Sequence, residues 1–165
     1  MNTEMFHSNK DSNMGEFKRT VAIKTTPDIV FNYVTDWRNL KSFMSNILDI
    51  NPISFVQYGP GAAFDTVFKV SGAEIPTTLE VEEFVRDKRL ILRSRQGFKI
   101  RCAWEFKPAS DGTVVTITLQ YDLPQGITRT ESDRITAQQD LEQASFNSLQ
   151  LLRWILESFT GQEKK

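Results

Sequence analysis

Histidine and cysteine, the side chains readiest for acid–base, nucleophilic or metal chemistry near neutral pH, occur once each in this chain and far apart. The one histidine, His7, sits in a polar N-terminal stretch rich in Asn, Ser and Lys, where a solvated imidazole is the expected state. The one cysteine, Cys102, excludes an intramolecular disulfide and any multi-cysteine metal site. Between Ile100 and Trp104 at strand spacing, it reads as a small core filler. No G-x-S-x-G turn, phosphate-binding glycine loop, zinc-type His/Cys spacing or dinucleotide fingerprint occurs, and Gly59-Pro60-Gly61 reads as a turn. No metal or cofactor is expected. Proton transfer would fall to carboxylates, Tyr, Arg or ordered water.

The polar residues of interest are those whose strand parity puts them among apolar ones. Arg19 shares parity with Phe17 and Val21, and reads either as a strand-end residue reaching water or as an inward-facing polar group. Glu83 is ambiguous, since Phe84 follows it and a bulge would change its side. Gln57, Thr66, Thr77 and Ser94 have inward parity, and Tyr121 offers a hydroxyl either to a structural hydrogen bond or to a ligand. The polar loop Gln125–Ser132, with Arg129 and Glu131, reads either as ordinary solvated loop or as a gate.

These side chains need elements to hold them, and periodicity supplies the elements. Residues 1–15 read as a disordered leader and 161–165 as a disordered tail, leaving one domain over 16–160. Phe17, Val21 and Ile23 form a first strand. Thr26-Pro27-Asp28 is a helix start, with a hydroxyl cap, a Pro where the missing N–H costs nothing, and an acid in the first turn. Val30, Tyr33, Val34 and Trp37 make one face of a short helix; Leu40, Phe43 and Met44 make a second after a bend near Asp36–Asn39. From Ile47 to Leu123 the period becomes two, giving six strands in an antiparallel meander. Its inward parity contains Phe55; Phe64, Thr66 and Phe68; Leu79 and Val81; Leu92 and Ser94; Phe98, Ile100, Cys102 and Trp104; and Ile117, Leu119 and Tyr121. On the outer parity Glu80 and Glu82 should lie across from Arg93 and Arg95, near Lys99 and Arg101, as a solvated charge ladder. A last helix is expected over 133–159, capped by Asp133 and ended by Gly161. Leu141, Ser145, Ser148, Leu152, Ile155 and Phe159 share one of its faces.

The chain has 165 residues, 39% hydrophobic and 25% charged, with a formal net charge of −1. That is the composition of an ordinary globular domain. No basic stripe marks a nucleic-acid surface, no apolar run is long enough for an integral membrane segment, and no secretory signal opens the chain, so the cytoplasm is the default address.

The element order therefore implies an α+β helix-grip fold: a seven-stranded curved antiparallel sheet, built as one strand, two short helices and six strands, wrapped around a long C-terminal helix. A sheet this wide is broader than one helix. The small residues Ala137, Ala144, Ser145 and Ser148 opposite large sheet residues should leave a ligand cavity, lined by the inward residues above with Leu141 and Leu152. The segment Val21-Ala-Ile-Lys-Thr-Thr-Pro-Asp-Ile-Val-Phe-Asn-Tyr-Val-Thr-Asp36-Trp37, with Trp104-Glu105-Phe106 before an Asp-Gly turn, resembles the START-like superfamily. This is the polyketide cyclase/dehydrase and lipid transport group that includes the birch-pollen-allergen fold, and the resemblance spans about 16–159. It implies a scaffold for a small hydrophobic ligand such as a lipid, isoprenoid quinone or polyketide-like aromatic, and it carries no catalytic residue over. A binding or carrier protein is the leading expectation. The alternatives are a cyclase or dehydratase on such a ligand, and a regulatory module gripping a partner protein through an apolar patch of Trp37, Phe43 and Trp154.

Overall fold

The computed structural model describes the backbone of residues 13–163 and side chains through residue 159; His7 lies outside them. The first strand, β1 (Met14–Ile23), starts two residues before the expected Glu16. Then come α1 (Pro27–Thr35), a 3-10 turn at Trp37–Asn39 and α2 (Leu40–Phe43). The bend between the helices is made by Asp36, whose carboxylate accepts the Arg38 backbone N–H at 3.1 Å.

Six strands follow: β2 (Ile47–Pro52), β3 (Ala63–Val70), β4 (Ala73–Val85), β5 (Arg89–Gln96), β6 (Lys99–Ala109) and β7 (Gly112–Asp122). All neighbours are antiparallel in the order β1-β7-β6-β5-β4-β3-β2, so β1 closes the meander by pairing with β7. The last helix, α3 (Glu131–Glu163), has 33 residues and at ~1.5 Å per residue crosses the whole sheet. The fold is the expected α+β helix grip.

Two details of α3 differ from expectation. The Asp133 N–H donates to the Thr130 hydroxyl at 3.0 Å, so Thr130, not Asp133, caps the helix. Gly161 does not end it, because the helix continues to Glu163.

The concave face of the sheet and the buried face of α3 form one apolar core. Edge-on aromatic pairs run through it: Phe31 against Phe84 and Phe106, Phe43 against Trp104, and Phe68 against Phe98. The expected partner-binding patch is not assembled. Phe43 is fully buried, Trp37 packs on the core, and Trp154 is exposed on α3.

Strand parity holds wherever the ladder is regular and fails where it is not. The register between β4 and β5 shifts between Val81 and Glu83, so Glu82 is an extra residue. Phe84 then turns inward, and Glu83 turns outward to pair with Arg89 at 3.0 Å. The convex face carries the expected ladder: Glu80 meets Arg95, and Glu82 meets Arg93 and Arg101. It extends through Gln120 on β7 to Glu16 on β1, one polar stripe across five strands.

Candidate functional site

The strand register lays the inward residues in rows across the sheet. One row reads Val81, Leu92, Cys102, Leu119, Phe17 from β4 to β1; the next reads Phe84, Leu90, Trp104, Ile117, Arg19. Directly above them an apolar cleft is lined by Phe68, Leu79, Leu92, Ile100, Cys102, Trp104, Ile117 and Leu119 from the sheet. Ser145 of α3 forms its roof, and Leu40, Met44, Asn46 and Ile47 close its side. The α2 segment was not among the expected lining, since nothing in a four-residue helix tells which strands it will cover.

The cleft is closed. It leaves the centre of a water molecule about 20 Å³, room for one or two waters, against the ~300–1,000 Å³ of a typical small-molecule pocket. Among the described residues, the space at this place is much narrower than the cavity expected from the sequence. Met44 and Leu40, long side chains that adapt to irregular space, line it together with Ser145. A second small cleft lies beside it under Trp37, Gln57 and Gly59, with Phe64, Val81, Phe84 and Leu90. The two share Leu40 and Leu92.

Other residues of the expected lining hold the fold and do not face the cleft. The Thr66 hydroxyl donates to the Thr77 carbonyl at 2.7 Å. The Ser94 hydroxyl accepts the Ile100 N–H at 2.9 Å, replacing a ladder bond where β5–β6 pairing ends at Arg93. Phe98 is buried against Phe68, and Leu141 and Leu152 lie on the buried face of α3. Tyr121 packs on Phe17 and lies across Gly15, where a Cβ would come within 2.4 Å of its hydroxyl oxygen. Phe55 is a clear correction: its strand does not exist, because β2 ends at Pro52 and Phe55 is wholly solvent-exposed in the loop beyond.

The N-terminal half of α3 is held over the cleft by polar tethers. Arg19 does face inward, and its guanidinium pairs with Glu142 at 3.2 Å. The Ser71 N–H donates to Asp140 at 2.8 Å. The Ser45 N–H donates to the Ser148 hydroxyl at 3.2 Å, and the Ser45 hydroxyl to the Ala144 carbonyl at 3.3 Å. Open grooves flank this half on both sides: about 660 Å³ beside Arg19, Gln139 and Phe146, and about 250 Å³ beside Lys69, Leu141 and Asn147. Burial pushes the Cys102 thiol up to about 12, and burial with the nearby Glu142 charge pushes the Tyr121 phenol up to about 12. Neither is a nucleophile or base near neutrality.

A curved antiparallel sheet gripping one long helix over an apolar interior defines the helix-grip class of α+β folds. The family model described as "Polyketide cyclase / dehydrase and lipid transport" matches residues 14–150, and the chain belongs to that family. Comparison with curated protein sequences yields no significant match. Among solved structures, the Zhui aromatase/cyclase from Streptomyces sp. R1128 is similar with a TM-score of 0.74 at 14% identity, over 87% of this chain and 94% of that one. TTHA0849 from Thermus thermophilus is similar with a TM-score of 0.70 at 21% identity, over 84% and 94%. A START superfamily protein from Mycobacterium smegmatis is similar with a TM-score of 0.62 at 13% identity, over 89% and 97%. At these identities the likeness is one of fold.

Proposed function

We propose that this domain binds a small apolar molecule, such as a lipid chain, an isoprenoid quinone or a polyketide-like aromatic, in its interior. The N-terminal half of α3 and the α2 segment would move outward to admit it. The observation that carries this reading is the contrast between what lies under α3 and what holds it. Beneath Ser145 the surface is almost wholly hydrocarbon, while the helix above is fastened at Arg19, Ser45 and Ser71 by polar contacts that water can replace. A guest that lifts the helix exchanges those contacts for solvent and gains burial of its own surface.

A binding role fits the lining better than catalysis does. Its polar groups are Asn46, Ser145 and the Cys102 thiol, and the thiol is held protonated. General acid–base work needs a group that titrates near the working pH.

The test is extraction of the purified protein with organic solvent and mass spectrometry of the extract. Titration of the stripped protein with palmitate and a short-chain benzoquinone, read by native mass spectrometry, follows. One-to-one uptake by the native chain, lost in Ser145→Phe with the fold intact by circular dichroism, is the expected result. Uptake unchanged in Ser145→Phe would place any ligand outside the interior and overturn the reading.

A further inference from the structure

Ile53, Phe55 and Gln57 were expected on a strand leading into the Gly59-Pro60-Gly61 turn, but they lie in the loop between β2 and β3. From Pro52 to Phe64 the chain carries no Asp, Glu, Lys or Arg, although 25% of the chain is charged. In the same stretch Ile53 is 48% exposed, Val56 46%, Tyr58 49% and Phe55 102%. Four apolar side chains exposed to water within one short loop need an explanation that scattered surface apolar residues do not.

The loop is braced, so its apolar tip is held outward. The Ser54 hydroxyl accepts the Ala63 N–H at 2.9 Å and also donates to the Val56 carbonyl. The Ile53 N–H donates to the Ala63 carbonyl at 3.0 Å, and the Ala62 N–H to the Gly59 carbonyl at 3.1 Å. The Trp37 indole N–H donates to the Gln57 amide oxygen at 3.2 Å. Gly59 and Gly61 take the left-handed conformations, φ +79° and +91°, that turn the chain back. Against this loop stands the β4–β5 turn: Gln57 and Gly59 share a cleft with Phe84 and Leu90, the residues that bracket it. That turn exposes Val85, Arg86 and Lys88. Arg38 and Arg89 nearby are engaged by Asp36 and Glu83, and Asp87 sits half-buried between Arg86 and Lys88.

We propose that loop 53–61 is a membrane-docking wedge. Phe55, with Ile53 and Val56, enters the interfacial region of an anionic bilayer, Tyr58 sits at headgroup level, and Arg86 and Lys88 meet lipid phosphates and carboxylates. A run of exposed apolar side chains with no charge of its own matches a deformable apolar phase, and the exposed Arg86 and Lys88 beside it match an anionic surface. An apolar wedge beside cations is the two-signal arrangement that gives reversible attachment to membranes, and an aromatic hydroxyl at the boundary is the usual interfacial anchor. Docking there brings the cleft under Trp37 and Gln57 to the bilayer. That extends the ligand-binding reading, yet the docking is measured without any interior ligand.

The experiment is sedimentation of the full chain with vesicles of phosphatidylcholine alone and of phosphatidylcholine with phosphatidylserine. The native chain is expected to bind the anionic vesicles more tightly, with binding weakened by salt. Phe55→Glu should lower the partition roughly ten- to a hundredfold, the worth of burying one such side chain, and the Arg86→Glu/Lys88→Glu pair about tenfold. Both should keep the native melting temperature and native palmitate uptake. In Phe55→Trp, vesicles with brominated acyl chains should quench emission beyond that of the native chain's own tryptophans. Absence of sedimentation with either vesicle, a Phe55→Glu partition equal to native, or a Phe55→Trp emission unaffected by brominated lipid overturns the proposal. So does a Phe55-dependent self-association in vesicle-free solution that accounts for the pelleting.

Discussion

Leu119→Ala tests whether the interior is as closed in solution as the geometry makes it. Leu119 is 3% exposed on β7, with Phe17 on one side of its row and Cys102 on the other. The substitution removes three buried carbons, worth about 2.4 kcal/mol at ~0.8 kcal/mol each. In a packed interior it also leaves a hole of roughly 60–80 Å³, which at ~24 cal/mol per Å³ adds about 1.5–2 kcal/mol. The expected loss is therefore about 4 kcal/mol, inside the ~2.7–5 kcal/mol span of comparable truncations. Urea unfolding followed by circular dichroism measures it, and an unchanged slope with denaturant shows that the folded and unfolded states have kept their exposure. The enlarged hole is apolar, so the variant should also take up a benzene-sized guest and be stabilised by it. A loss below roughly 1.5 kcal/mol at unchanged slope would mean that Leu119 already faces empty space or water. The closed interior, and the helix-lifting step built on it, would then be wrong.

Three further outcomes are expected. Gly97→Ala should lower stability by about 2–3 kcal/mol in a thermal melt, because the backbone there has φ +88° and a Cβ would lie 2.1 Å from the Pro76 carbonyl oxygen. Cys102 makes stability fall on the alkaline side: its folded thiol is raised to about 12 from an ordinary value of 9.0, so between those values the unfolded chain holds fewer protons and gains relative to the native one. The contribution of this thiol is fully present below pH 9.0 and should fall above it, approaching about 1.4 kcal/mol per pH unit; Cys102→Ala should lessen that slope in urea melts extended to about pH 10, leaving the part due to the raised Tyr121 phenol. Arg101→Ala, which breaks the contacts with Glu82 and Gln120 across three strands, should cost about 1 kcal/mol, less in molar salt, because the charges it joins are partly solvated.

Much of this architecture was legible along the chain, and the limits of legibility have one cause. Alternation from Phe98 to Phe106 and from Val115 to Leu123 determined two long strands and the inward side of each, because a half-buried strand needs one dry face whatever its neighbours are. The helix start at Pro27-Asp28 (where Thr26 takes the cap position without the expected hydroxyl bond), the break at Asp36 and the Glu80/Glu82–Arg93/Arg95 ladder are likewise local or nearest-strand effects, and residue order suffices for them. Phe55 looked like more of the same alternation, but whether apolar residues pair into a sheet or stand out on a loop depends on a partner strand, and β3 starts only at Ala63. The side taken by Glu83 depended on where β5 absorbed one extra residue. The α2 contribution to the cleft, the Thr130 cap and the lining of the interior by Met44 and Leu40 are decided by contacts between segments far apart in sequence. Periodicity reports which side of an element is dry; only the assembled chain decides what covers that side and how much room is left beneath.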